Sequence, residues 1–104
     1  MREMLEMARP YTVLVLSRGP NYGSAEAQEI IWEHGRRNFE LLESGELAVV
    51  CPIGDDGDLC GVGIFTTDVD ATRALMSHDP GVRAGVFVFE VHPCLSFPGS
   101  ALPG

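Results

Sequence analysis

The stretch ELAVVCPIGDDGDLCGVGIFTT, residues 46–67, decides the fold. Its two ends, ELAVVCP and LCGVGIFTT, are rich in β-branched and aliphatic residues over a strand's length. The IGDDGD between them carries an Asp56-Gly57 pair, a strong short-range hairpin signal. Two antiparallel neighbouring strands are therefore expected at the centre of the chain, and the elements on either side fix the architecture.

Upstream, YTVLVLS (11–17) reads as a strand and RGPNYG as a turn cluster. The run AEAQEIIWEHGRRNFELLES (25–44) then spaces its apolar residues helically, with Ser24 expected as N-cap and Gly45 placed to end the helix. Downstream, TDVDATRALMSHD (67–79) opens on Thr67-x-x-Asp70, which resembles a capping box with Asp in place of Glu or Gln, and predicts a shorter helix. AGVFVFEVHP (84–93) is the last strand. The order is βαββαβ, the split βαβ or ferredoxin-like arrangement of the α+β class: a four-stranded antiparallel sheet with two helices on one face. Residues 1–10 read as a flexible N-terminal leader, 11–97 as the ferredoxin-like domain and 98–104 as a C-terminal tail.

Strand alternation then makes a prediction about assembly. Val86 and Val88 are expected to point one way and Phe87, Phe89 and Val91 the other, while Val13 and Val15 oppose Leu14 and Leu16. Both faces of the sheet are apolar, yet two helices cover only one. Monomers rarely expose apolar patches beyond a few hundred Å², so the open face is expected to pack on a second copy in a homodimer.

Bulk properties exclude several classes. With 104 residues the chain is one domain in size, and 45% hydrophobic with 21% charged residues is globular composition. The net charge of -8, with seven Arg and no Lys, opposes nucleic-acid binding. No apolar run approaches the roughly 18–20 residues of a membrane span, so neither nucleic acid nor membrane is expected as a partner and a cytoplasmic location is. Cys51, Cys60 and Cys94 include no CxxC and read as reduced, packed thiols.

Two residues stand out chemically. Ala27, Ile30, Ile31, His34, Asn38, Leu41 and Leu42 share the inward stripe of the first helix, which puts an imidazole where Leu would pack better. It needs partners for both nitrogens. Asp79, in SHDPGVRAGVFVFEVHP (77–93), lies just beyond a helix C-terminus, the wrong end of the macrodipole for an anion. It should seek a donor, and Pro80 biases it towards extended dihedrals. In βαββαβ topology the two can meet. Each also has a plain reading: His34 as a core residue bonded to a carbonyl, Asp79 as a helix terminator beside His78.

The chain resembles the YciI-like (YCII-related) proteins of the dimeric α+β barrel superfamily. The resemblance spans Tyr11 to about Phe97. It rests on WEHGRRNFELLESGELAV, on Pro52 with IGDDGDLCGVGIF, and on DPGVRAGVFVFEVHP. It implies that His34 and Asp79 form the catalytic pair of a cofactor-independent enzyme with lyase, dehalogenase or isomerase chemistry on a small cyclic or aromatic molecule. The chain departs from the family at Cys51, where Gly precedes the Pro, and at Cys94, where Trp follows the last one. Both departures imply an altered pocket, with Cys51 bringing a side chain to the cleft.

Other signals are read as structural. Asp55, Asp56 and Asp58 lack the full calcium-loop spacing, and no metal is expected. Gly61-Val62-Gly63 lacks the third glycine of a dinucleotide fingerprint and reads as close backbone packing. Glu33 and Arg37 read as an exposed i, i+4 pair, and His92 as a residue that could line the pocket mouth. Besides the enzyme, the same residues fit a non-catalytic binding or accessory dimeric module in which His34 and Asp79 are structural.

Overall fold

The computed structural model describes residues 6–104; the first five residues of the expected leader lie outside them. The elements are β1 (Arg9–Arg18), α1 (Ala27–Ser44), β2 (Leu47–Pro52), β3 (Leu59–Phe65), α2 (Val69–Ser77), α3 (Pro80–Arg83) and β4 (Phe87–Ser96). The sheet order is β2-β3-β1-β4, with every neighbouring pair antiparallel. This is the expected ferredoxin-like sheet, with one short helix, α3, added before the last strand. No helix among the described residues is long and apolar enough to cross a membrane.

β1 starts at Arg9, two residues before the expected strand, because β4 is long enough to pair Arg9 with Ser96 and Pro10 with Leu95. Pairing with β3 begins only at Thr12. Pro10 therefore needs a partner on one side alone, where its missing N–H is tolerated.

Pairing sorts the side chains onto two faces. Thr12, Leu14 and Leu16 of β1 face the helices together with Phe65, Leu47 and Phe87, and with Ala27 and Leu41 of α1 and Met76 of α2 they are buried. The opposite face carries Val13 and Val15 beside Ile64 and Val62, with Val49 and Cys51 beyond them. Val86 and Val88 do not share a side as expected: Val86 is fully buried in the turn before β4, its N–H bonded to the Gly81 carbonyl, and Val88 is 48% exposed.

Local signals were realised with shifts that have simple causes. Gly45 ends α1 in the left-handed conformation with φ 84°, which glycine adopts without a Cβ clash. Ser24 is not the N-cap: it sits in a preceding turn, its carbonyl accepting from Ala27, and the helix starts after Glu26 without a side-chain cap. For α2 the cap is Asp68, which accepts from the Ala71 N–H, and not Thr67, whose hydroxyl bonds that of Thr72. The β2–β3 hairpin forms, but Gly57 does not take the left-handed conformation; its N–H is instead held by the Asp55 carboxylate at 2.8 Å.

Candidate functional site

The site grows out of the junction between α2 and α3. His78 caps α2, and Asp79 then turns extended, at φ -66° and ψ 132°, ahead of Pro80. Its side chain bends back over α3 and accepts from the Gly81 and Val82 N–H groups, at 3.0 and 3.3 Å. Asp79 thus terminates one helix and caps the next. Gly81 is required there: a Cβ would meet the Phe87 ring at 2.5 Å.

α1 presents His34 to this carboxylate. Nδ1 lies 2.8 Å from both oxygens of Asp79, which is 0% exposed. The two residues singled out in sequence are therefore brought together, 45 positions apart in the chain. The bonding network assigns the roles: Asp79 accepts, so Nδ1 carries the proton, and Nε2 presents its lone pair towards the Asn38 amide nitrogen at 3.2 Å. The Phe87 ring packs against the imidazole with centroids 4.7 Å apart.

Arg37 is the member that sequence reasoning missed. Read as an exposed partner of Glu33, it instead turns inward, and Glu33 lies 3.9 Å from Arg36. One terminal nitrogen of Arg37 donates to the Leu75 carbonyl at 2.6 Å. The other is buried with no hydrogen-bond acceptor and lies 3.6 Å from Asp79 Oδ1. Two local signals competed: Glu33 stands four residues before Arg37, and His34 three residues before it on the same helix stripe, within reach of its long stem.

Beside His34 opens a cavity of about 230 Å³ between α1 and the sheet. Leu14, Leu16, Ile31, Leu47, Phe65 and Phe87 give it apolar walls; His34 and Asn38 supply the polar groups. Its floor runs over Gly61 and Gly63, where the covered side of β3 carries no side chain. The expected close backbone packing is present as well: a Cβ at Gly61 would stand 3.3 Å from the Cys51 carbonyl oxygen. Val50 and Pro52 line the cavity, whereas Cys51 alternates to the opposite face and is exposed. The expected Cys51 side chain in the cleft is thus not found. Cys94 pairs with Tyr11 and lines no wall of the cavity. Nor does His92 reach it: His92 lies on the open face, 2.8 Å from Glu90.

Among the described residues no cluster of three or more His, Cys, Asp or Glu is arranged to hold a metal ion. Chemically, the arrangement offers one imidazole with a fixed tautomer, its second nitrogen near an apolar space. That is the equipment for moving one proton.

No family model and no curated protein matches the chain. Among solved structures it is similar to the 5-chloro-2-hydroxyhydroquinone dehydrochlorinase TftG of Burkholderia phenoliruptrix AC1100, in complex with 2,5-dihydroxybenzoquinone. The two are 19% identical; the match covers 79% of this chain and 90% of that one, with a TM-score of 0.51. At that identity the likeness shows the fold, a four-stranded antiparallel α+β sheet covered by helices.

Proposed function

We propose that the chain is a small, cofactor-independent YciI-like enzyme. It acts as a homodimer on a small cyclic or aromatic molecule, by acid–base chemistry of His34 and Asp79 in the lyase, dehalogenase or isomerase class. The observation that carries the proposal is the 2.8 Å contact between His34 Nδ1 and the fully buried Asp79 at the wall of an apolar cavity. The fold shared with a dehydrochlorinase of hydroxylated rings supports the choice of substrate class.

In this reading Nε2 takes a proton from an acidic carbon or hydroxyl of the ring, and the imidazolium that forms is held by Asp79 through Nδ1–H. Asn38 serves both states of Nε2. Its amide nitrogen donates to the free lone pair, and after rotation its oxygen accepts from the protonated nitrogen. The apolar walls keep water from competing for the proton.

A second reading has its own support. Asp79 caps α3, so the pair could be a structural bond in a ligand-binding module. His34→Gln separates the two, because Asp79 keeps Arg37 and two backbone N–H donors when the imidazole is gone. The enzyme reading expects a folded variant whose kcat/KM falls by about 10²–10⁴ on ring substrates, beginning with 5-chloro-2-hydroxyhydroquinone. A variant that loses several kcal/mol of stability, in a wild type that turns over none of a hydroxylated-ring panel, favours the structural pair. The tautomer gives an independent check: ¹⁵N shifts of the His34 ring should report Nδ1–H in the wild type and a changed tautomer mixture in Asp79→Asn. Identical spectra would remove the dyad.

A further inference from the structure

Beside the first cavity lies a second of about 190 Å³, and the two share Ile31, Cys60 and Phe87 as walls. At its end stands Arg18, the last residue of β1, on the covered side of the sheet with Leu14 and Leu16 and paired with Phe87. Its guanidinium lies 4.7 Å above the Tyr22 ring. The Nε–H is buried and has no hydrogen-bond partner.

Of the two buried guanidinium nitrogens without a hydrogen-bond partner among the described residues, Arg37 Nη1 has the Asp79 carboxylate 3.6 Å away, whereas no carboxylate lies within 4.0 Å of Arg18. The chain has 15 Asp and Glu for seven Arg, so acidic partners are plentiful. Asp55, which also lines the cavity, binds the Gly57 N–H, and the Asp58 carbonyl accepts from the Arg18 backbone N–H. Stacking on Tyr22 satisfies the charge in part but gives the N–H no acceptor. The Cys60 thiol, which Arg18 acts on through its charge and through a side-chain hydrogen bond, is only a weak acceptor.

We infer that Arg18 is the anion-recognising end of the cleft whose other end is His34, so that the ligands are ring compounds bearing an anionic oxygen, a carboxylate or phenolate. The inference deepens the acid–base reading and rests on it only for the statement that such a ligand is also the substrate. Size agrees: a cavity of about 150 Å³ is known to take benzene, and the space beside His34 is about 230 Å³. A guanidinium at the cavity wall, with its Nε–H left without an acceptor, offers a carboxylate or phenolate a charge-assisted bond that the protein leaves unmade.

The test is a titration of the intact protein with benzoate and with benzamide, its uncharged counterpart, followed through the ¹H–¹⁵N signal of the Arg18 Nε–H. Benzoate is expected to move that signal and to bind about tenfold tighter than benzamide, the size of a hydrogen bond to a charged group. Arg18→Gln should reduce the preference below about twofold, and Arg18→Lys should keep part of it. His34→Gln should leave it intact, which separates this inference from the fate of the acid–base reading. Equal binding of the two probes, a benzoate preference that survives Arg18→Gln, or an Nε–H signal unmoved by tens of millimolar benzoate each overturns it. The wild-type signal decides the matter even where a variant folds poorly.

Discussion

On the covered face of the sheet Leu14 and Leu16 are 6% and 5% exposed and Phe65 is 1% exposed, whereas on the other face Val13, Val15, Val62 and Ile64 of the same strands stay half-buried. Alternation delivers apolar side chains to both sides, and the helices cover one. The difference is sharpest in β3, where the covered side has Gly61 and Gly63 and the open side Val62 and Ile64. The cavity lies where side chains are missing on the face that has a cover, and apolar side chains are retained on the face that has none.

The strongest way to break the comparison is on the covered side. Asp79→Ala removes the acceptor on which His34, Arg37 and two backbone N–H groups converge. It leaves Arg37 as a buried charge without a counterion. A loss of about 3–5 kcal/mol is expected in urea unfolding, as for other buried pairs cut on one side. A loss under about 1 kcal/mol would mean that the network does not hold α3 to α1.

The open face should respond in assembly and not in the fold. Val62→Asp places a charge on the open face, within the proposed subunit contact. The dimer is expected to weaken by about 2–4 kcal/mol, seen in sedimentation as a shift to monomer, while the far-ultraviolet circular dichroism stays that of the wild type. A wild-type chain that sediments as a monomer at micromolar concentration would remove the premise.

Smaller still is the expected effect of filling the floor of the cavity. A Cβ at Gly63 would stand 3.3 Å from Leu47 Cδ1 and 3.6 Å from the Phe65 ring. Both are side-chain atoms with some room to give, so Gly63→Val should cost about 1–2 kcal/mol. It should also weaken benzoate binding. Unchanged binding would show that ligands do not use the space over β3.

What the sequence made legible follows the range of the forces involved. Strand order, the α1 stripe and the Gly45 stop depend on period and local dihedral preference, and they were readable. The meeting of His34 with Asp79 was readable as a need, since one residue lacked partners and the other sat at the wrong end of a dipole. Arg37 was not, because Glu33 at i-4 offered an equally good local partner, and only the packed structure shows that the guanidinium goes under the helix instead. The errors at Cys51, Val86 and Ser24 share a cause. Each depended on a register or a boundary one or two residues wide, which tertiary contacts set.

Cys60 tests the comparison at finer scale, since it sits where β1 and β3 fall out of register, between the pairs Leu16–Gly61 and Ser17–Leu59, and walls both cavities. Burial pushes its thiol up; Arg18 pulls the other way and Asp58 adds to the rise. The folded chain therefore holds this proton more tightly than the unfolded chain does. The resulting contribution to stability is complete below the unfolded thiol's pKa and is lost as pH rises through the higher folded value. In alkylation by iodoacetamide, followed peptide by peptide, the rate at Cys60 should rise only above the ordinary thiol range near 8.5. Arg18→Gln should move that rise to higher pH still, because it removes the cation and leaves the burial. If Cys60 instead reacts as readily as an unfolded thiol, the cleft admits water to its Arg18 end. Benzoate would then have to displace that water, and the free Nε–H would count for less than its burial suggests.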